Sequence, residues 1–335
     1  MTRASAAVIA GIGAYLPPDV VTNQDLSRQL DTSDQWIRTR TGIASRRMVA
    51  PGTATSDLAV EAGRRALKSA GQDRADAVVL ATTTPDHPCP ATAPQVAARL
   101  GLGQVAAFDV AAVCSGFLYG LATASGLIAA GIARRVLLIA ADAFTTIIDP
   151  ADRTTAVIFA DGAGAVLLRA GDPQEPGALG PQLLGSDGEL SELIQVPAGG
   201  SRQRGSGKPA APGDQYFQMA GRDTYRHAVE QMTATSRQAV QAAGWRLEQV
   251  DRFAAHQANA RILDSVANRL QITEDRRLSN IEHVGNTGAA SIPVLLAQAA
   301  AEGTLRPGHR VLLTAFGGGL SWGATTLVWP QVTAG

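Results

Sequence analysis

The chain carries no net charge: Lys and Arg together number 29, as do Asp and Glu. Nothing in it advertises a polyanionic partner, so neither nucleic acid nor an anionic membrane surface is expected. Cysteine is scarce. Cys89 and Cys114 are the only two, which excludes a disulfide framework and fits a reducing cytoplasm. The five histidines stand at no ligand spacing from these cysteines, so no metal site is expected. A dinucleotide loop is excluded because Gly11-x-Gly13 lacks its third glycine and runs into Leu16 and two prolines. Arg3 ahead of the apolar residues 6–12 imitates a leader, but no cleavage site follows.

What is present is apolar and small. The 45% hydrophobic content of 335 residues is enough core for one large or two ordinary domains. Residues 110–133 form 24 consecutive uncharged positions, a length that could cross a bilayer. Gly, Ser and Ala dominate the run, so a helix buried on all sides inside a soluble domain is expected instead. The pattern predicts a strand over 6–15, a helix over 56–70 closed by Gly71, and strands over 77–82, 106–110 and 135–141. Residues 156–168, with Asp161-Gly-Ala-Gly-Ala inside them, read as strands meeting at a glycine bend. Pro173 to Gly180 reads as a boundary, giving halves over 1–172 and 173–335. Residues 199–214, rich in Gly, Ser, Pro and basic side chains, read as a surface loop.

Cys114 sits where the strand over 106–110 turns into the small-residue helix. The unpaired N–H groups of a first helical turn favour a thiolate, which would lower its pKa; a small core hydrophobe is the alternative. A repeat strengthens the first reading. Residues 65–80 resemble 238–253, and Arg135-Val-Leu-Leu-Ile-Ala resembles Arg310-Val-Leu-Leu-Thr-Ala. Gly71 stands 43 residues before Cys114, and Gly244 stands 42 before Asn286. Two copies of a strand–helix unit imply a pseudo-twofold α/β domain with a site between the halves. Cys114 and Asn286 fall at equivalent points near its axis. His256 follows a strand over 252–255 and belongs to the same strand-end face, as either a catalyst or a hydrogen-bonded structural residue. The glycines of Phe316-Gly-Gly-Gly-Leu-Ser-Trp-Gly suit either an oxyanion hole or a tight turn. Trp36 and Arg40, one helical turn apart, could clasp a flat heterocycle bearing phosphates, or simply pack with Arg40 snorkelling.

These stretches resemble the thiolase-fold condensing enzymes, specifically 3-oxoacyl-(acyl carrier protein) synthase III. The resemblance rests on five motifs in order: Asp31-Thr-Ser-Asp-Gln-Trp-Ile-Arg-Thr-Arg-Thr-Gly-Ile, Asp109-Val-Ala-Ala-Val-Cys-Ser-Gly-Phe, His256-Gln-Ala-Asn-Ala-Arg-Ile, Gly285-Asn-Thr-Gly-Ala-Ala-Ser-Ile-Pro and Phe316-Gly-Gly-Gly-Leu-Ser-Trp-Gly. It implies an α/β thiolase-like fold with two pseudo-symmetric βαβ halves in an α-β-α-β-α core. It further implies a Cys114–His256–Asn286 triad, an oxyanion hole from the N–H groups of Cys114 and Gly318, and coenzyme A contacts at Trp36, Arg40, Arg153 and Asn259. The resemblance places Cys89, Phe144, Ile194, Phe217 and Phe316 around the acyl group, with Cys89 reaching across a homodimer. Arg226 and Arg261 match carrier-protein docking positions, helped by the basic loop ending at Lys208; Arg222 stands where relatives often carry Asn. The implied partners are acyl-CoA, malonyl-(acyl carrier protein) and a second copy of the chain. No resident cofactor is implied, since coenzyme A enters as a substrate thioester.

The implied activity is a decarboxylating condensation. A same-fold acyltransferase with another acceptor is the alternative, against which the intact His256 and Asn286 weigh. A cysteine hydrolase fits less well, because Ala112-Val-Cys-Ser-Gly lacks the leading glycine of a nucleophile elbow. A homodimer is expected from the residues too, since the charge-free run offers more apolar surface than one half-domain covers.

Overall fold

The computed structural model describes residues 5–334; Arg3, the basic residue of the leader-like pattern, lies outside them. Five strands form a first sheet: β1 (Ala6–Tyr15), β2 (Ala77–Ala81), β3 (Ala106–Val110), β4 (Arg135–Ala143) and β5 (Asp161–Gly171), in the spatial order β1-β5-β4-β2-β3. Four more form a second: β6 (Leu183–Ser186), β7 (Arg252–Ala255), β8 (Arg310–Gly317) and β9 (Ser321–Val328), in the order β7-β8-β9-β6. The repeat seen in the sequence is a repeat of topology. In the first sheet β2 runs parallel to β4, then β5 and β1 follow antiparallel. In the second, β7 runs parallel to β8, then β9 and β6 follow antiparallel. Where the first sheet adds β3 beside β2, the second has a single parallel bridge between Phe253 and Arg277.

Six helices of eight or more residues are found among the described residues: α1 (Asp34–Thr41), α2 (Thr55–Ser69), α3 (Gly116–Ala129), α4 (Gly221–Ala242), α5 (Ala260–Arg269) and α6 (Ser291–Ala301). Of these, α2 covers the outer face of the first sheet, and α4, backed by α5, covers the outer face of the second. Between the sheets lie α3 and α6. That accounts for their composition: a helix with a sheet on either side has no face for charge. It also accounts for β2 and for Val136–Ala141 of β4, whose apolar runs suit strands covered on both faces. Gly71 and Gly244 end α2 and α4 in the same way, at φ +60° and +72°, where a side chain would be strained.

Among the described residues no helix is long and apolar enough to cross a membrane. The charge-free run is covered instead by the chain's own two sheets, since α3 packs on β1, β2 and β4 and on β8 and β9. The apolar surface left uncovered lies at the ends of the run, where Ala111 and residues 129–132 are exposed and Ile132 is 68% exposed. One further expectation changes. Residues 156–168 are not two strands meeting at a bend: the chain turns before Asp161, and β5 runs straight through Gly162 and Gly164. Those glycines serve close packing, since a Cβ at Gly164 would lie 2.7 Å from Pro293 at the start of α6. The stretch from Pro173 to Gly180 lies between β5 of the first sheet and β6 of the second, and there Ala178 bridges to Val8 and Leu179 to Leu327, tying the two sheets together. The loop over 199–214 is largely exposed, as expected, with one short helix at Ser201–Gly205.

Candidate active site

Cys114 lies in a 3-10 turn (Val113–Ser115) between β3 and α3. Asn286 lies just ahead of a matching turn (Gly288–Ala290) that leads into α6. The two turns touch, so the repeat carries both residues to one place. Val113 is held at φ +45°, a conformation that costs a β-branched residue about 1–3 kcal/mol. Strain thus sits beside the Cys114 thiol.

The Cys114 thiol is not activated in the resting site. Its pKa is pushed up to about 12, chiefly by burial and further by the buried carboxylate of Asp142, while its own backbone N–H works the other way. The expected lowering by the helix start is outweighed, because a thiolate here loses water and faces an anion. Asp142, at the end of β4, accepts hydrogen bonds at Oδ1 from Thr83 N (2.6 Å), Thr82 Oγ1 (3.2 Å) and Thr84 Oγ1 (3.4 Å), and at Oδ2 from Ala289 N (2.8 Å). Burial still raises it to about 6. This carboxylate ties the end of β2 to the turn after Asn286. It was missed in the sequence, where its only signal is a lone acid in the otherwise apolar stretch from Val136 to Ala143.

His256 is 1% exposed and its pKa falls to about 3, because burial disfavours the imidazolium. It is neutral. Its Nδ1 lies 2.6 Å from Ser291 Oγ, and that oxygen already accepts the Gln257 N–H at 3.3 Å. The Ser291 hydroxyl has no other acceptor among the described residues, so its proton goes to Nδ1 and the ring proton stays on Nε2. Ser291 is a second residue that sequence reasoning passed over, although it stands inside a quoted motif. Asn286 is clamped by its backbone, donating to Ile158 O (3.0 Å) and accepting from Ala160 N (2.8 Å). Its Oδ1 accepts from Gly288 N at 3.0 Å, which turns Nδ2 away toward a long 3.5 Å contact with Ala258 O.

Cys114, His256 and Asn286 line one cavity of about 660 Å³. Ile194, Phe217, Phe316 and Gly317 share its wall, and so does Phe159, another residue the sequence reading missed. Phe144 stands behind that wall, stacked on Phe159 at 4.4 Å, with Phe217 edge-on to both. Cys89 is exposed and not part of this lining. Toward the mouth lie Arg40, Arg222, Asn259 and Arg261. Arg40 and Arg153 both stand over the Trp36 ring, at 5.8 and 5.3 Å. The Asn259 amide reaches Arg40 O at 3.3 Å while its oxygen caps α5. Arg226 is exposed on α4 and pairs with Asp223 at 3.5 Å.

A thiol, a neutral imidazole and an amide on the wall of one open-mouthed, largely apolar cavity are the equipment of thioester chemistry, and comparison with known proteins agrees. Family models described as 3-oxoacyl-(acyl-carrier-protein) synthase III and as its C-terminal region match residues 108–188 and 240–329. The beta-ketoacyl-(acyl-carrier-protein) synthase III 3 of Streptomyces coelicolor is 59% identical over 334 residues, covering 99% of both chains. The chain belongs to the 3-oxoacyl-(acyl carrier protein) synthase III family. It is thus an acyltransferase of the condensing type, with the thiolase-like fold that the motifs implied. The crystal structure of the synthase III from Pseudomonas aeruginosa superposes with a TM-score of 0.91 at 47% identity, covering 98% of this chain and 99% of that one. A priming beta-ketosynthase from the R1128 polyketide pathway superposes at 0.90 with 32% identity, covering 98% of each.

Proposed function

We propose that this synthase III chain takes an acyl group from acyl-CoA onto Cys114 and condenses it with malonyl-(acyl carrier protein), releasing CO2 and giving 3-oxoacyl-(acyl carrier protein) at the start of a fatty-acid or polyketide chain. One observation carries the reading: a thiol, a neutral imidazole with no Nε2 partner among the described residues, and an outward-turned amide share the wall of one cavity.

In the first step Cys114 Sγ bonds to the acyl carbonyl carbon, and the bond from that carbon to the coenzyme A sulfur breaks. The thiol proton leaves on coenzyme A. A thiol suits this exchange, being both attacker and leaving group. The N–H groups of Cys114 and Gly318 hold the transient oxyanion; losing one such donor costs about 2.7–4 kcal/mol in the barrier. In the second step the malonyl C–C bond breaks and CO2 leaves. His256 Nε2–H and Asn286 Nδ2–H hold the enolate oxygen, which requires the neutral imidazole. The enolate carbon then attacks the acyl carbonyl, and Cys114 departs as a thiolate that takes a proton from water.

Trp36, Arg40, Arg153 and Asn259 receive coenzyme A, with adenine on the Trp36 face. Arg226 and Arg261 offer positive charge to an acidic carrier protein. No resident cofactor or metal takes part. The unpaired Cys89 and Cys114 suit a cytoplasmic enzyme. A homodimer forms along β3, the open edge of the first sheet, whose unpaired backbone groups are a template for a second chain.

Intact-protein mass spectrometry after mixing with a panel of acyl-CoAs tests the reading. The parent gains one acyl mass and Cys114→Ala gains none; an acyl adduct on the variant would refute the assignment.

A further inference from the structure

Ser115 and Ser321 stand 206 residues apart in the chain, yet their hydroxyls meet at 2.6 Å. Ser115 directly follows the nucleophile and is fully buried; Ser321 follows the glycine run, opens β9 and is 6% exposed. Ser115 Oγ reaches Ala112 O at 2.7 Å, while Ser321 Oγ reaches Gly318 O at 2.9 Å and Ala112 O at 3.4 Å. One hydroxyl donates to the other, and the second donates on to a carbonyl, Ala112 O or Gly318 O, so both protons are used and neither hydroxyl is spare. In a buried site such a pair adds little net stability over apolar groups of the same shape. What it adds is direction.

The carbonyls it gathers belong to Ala112, two residues before Cys114, and to Gly318 itself. Between them the backbones press together: a Cβ on Gly317 would lie 2.8 Å from Cys114 N and 2.9 Å from Ser115 N. The supports of His256 and Asn286 are separate, being Ser291, Thr314 O, Ile158 O and the Gly288 N–H.

We propose that the Ser115–Ser321 hydroxyl pair is a clasp between the nucleophile turn and the glycine loop, setting the spacing of the Cys114 and Gly318 N–H groups for acyl transfer. Both serines are positioning residues. The clasp rests on the reading of those two N–H groups as an oxyanion hole. It makes acylation, and not malonyl decarboxylation, sensitive to either serine.

The test uses Ser115→Ala, Ser321→Ala, the double variant and Ser321→Thr in the full chain. Three rates are read: acyl-Cys114 formation from butyryl-CoA, CO2 release from malonyl-CoA, and alkylation of Cys114 by iodoacetamide, which develops no oxyanion. Each alanine variant should slow acylation roughly tenfold, since small misplacements of reacting groups cost up to about a hundredfold. The double variant should be no slower than the slower single, because the two hydroxyls act as one unit. Decarboxylation and alkylation should stay within about twofold, and Ser321→Thr should restore acylation. Effects that multiply in the double variant, an equal fall of all three rates, or unchanged acylation would each overturn the clasp. Gly317→Ala separates the clasp from the reading beneath it, because its Cβ must push the loop off Cys114 N. If that variant loses acylation while the serine variants keep it, only the clasp falls; if Gly317→Ala keeps acylation, the oxyanion-hole reading falls too.

Discussion

At the scale of single residues, the site rests on two titrating groups held far from their ordinary values. His256 is neutral down to a pH of about 3, so its role as a donor survives mild acid. Release of CO2 from malonyl-CoA should therefore show no acid limb near pH 6.5, and such a limb would mean that the imidazole titrates normally. The sign for stability follows from the same shift. Between pH 6.5 and about 3 the unfolded chain protonates this histidine and the folded one does not, so its contribution lowers stability as the pH falls through that window. Cys114, raised to about 12, should react with iodoacetamide at a rate that climbs steadily with pH beyond 9; a plateau near neutrality would mean a preformed thiolate. That Cys114, His256 and Asn286 share one cavity was legible from the repeat and from the strand before His256. The thiol's resting state was not. It depends on burial and on Asp142, which stands 28 residues further along the chain and comes close only when β4 packs beside β2.

At the scale of elements, the repeat was the most legible feature. It is written in similar residues at matching distances, and it appears as two sheets of matching strand order. The glycines of β5 were misread because Gly after Asp signals a bend locally, whereas here each gap is filled by a neighbour distant in sequence. Gly164 is the clearest case, lying against Pro293 of α6. Gly164→Val should overpack this contact and cost about 1–3 kcal/mol, lowering the thermal midpoint by several degrees. Decarboxylation should suffer more than acylation, because α6 carries Ser291 and follows Asn286. An unchanged melting curve would show that β5 and α6 are less tightly packed than they stand here. Likewise, Ser291 and the serine pair beside Cys114 act through partners that no local pattern reveals.

At the scale of the whole molecule, most of the mid-chain apolar run is spent inside one protomer, between its sheets. The proposed homodimer rests on the open edge of β3, and sedimentation at micromolar concentration should give twice the chain mass. Cys89 adds a sharper test, because it is not on the wall of its own chain's cavity. Any influence on the primer must come from across such a dimer. By the resemblance drawn from the sequence, Cys89 matches a position that can carry a bulky aromatic, and a cysteine there would leave room for further methylenes, each worth about 0.8 kcal/mol when buried. The Phe144–Phe159–Phe217 cluster bounds the cavity from the other side. Cys89→Phe should suppress acylation by hexanoyl-CoA while sparing acetyl-CoA; an unchanged chain-length profile would place Cys89 outside the acyl pocket.

The division of labour within the triad is tested most directly by separating the two half-reactions in His256→Ala and Asn286→Ala. Each variant should still form acyl-Cys114 from acyl-CoA at close to the parent rate, seen as one added acyl mass. Release of CO2 from malonyl-CoA should fall by about a hundredfold or more, the cost of losing one preorganised donor to an oxyanion. An equal loss of both half-reactions would contradict this, and would make the two residues parts of a shared base or of the fold.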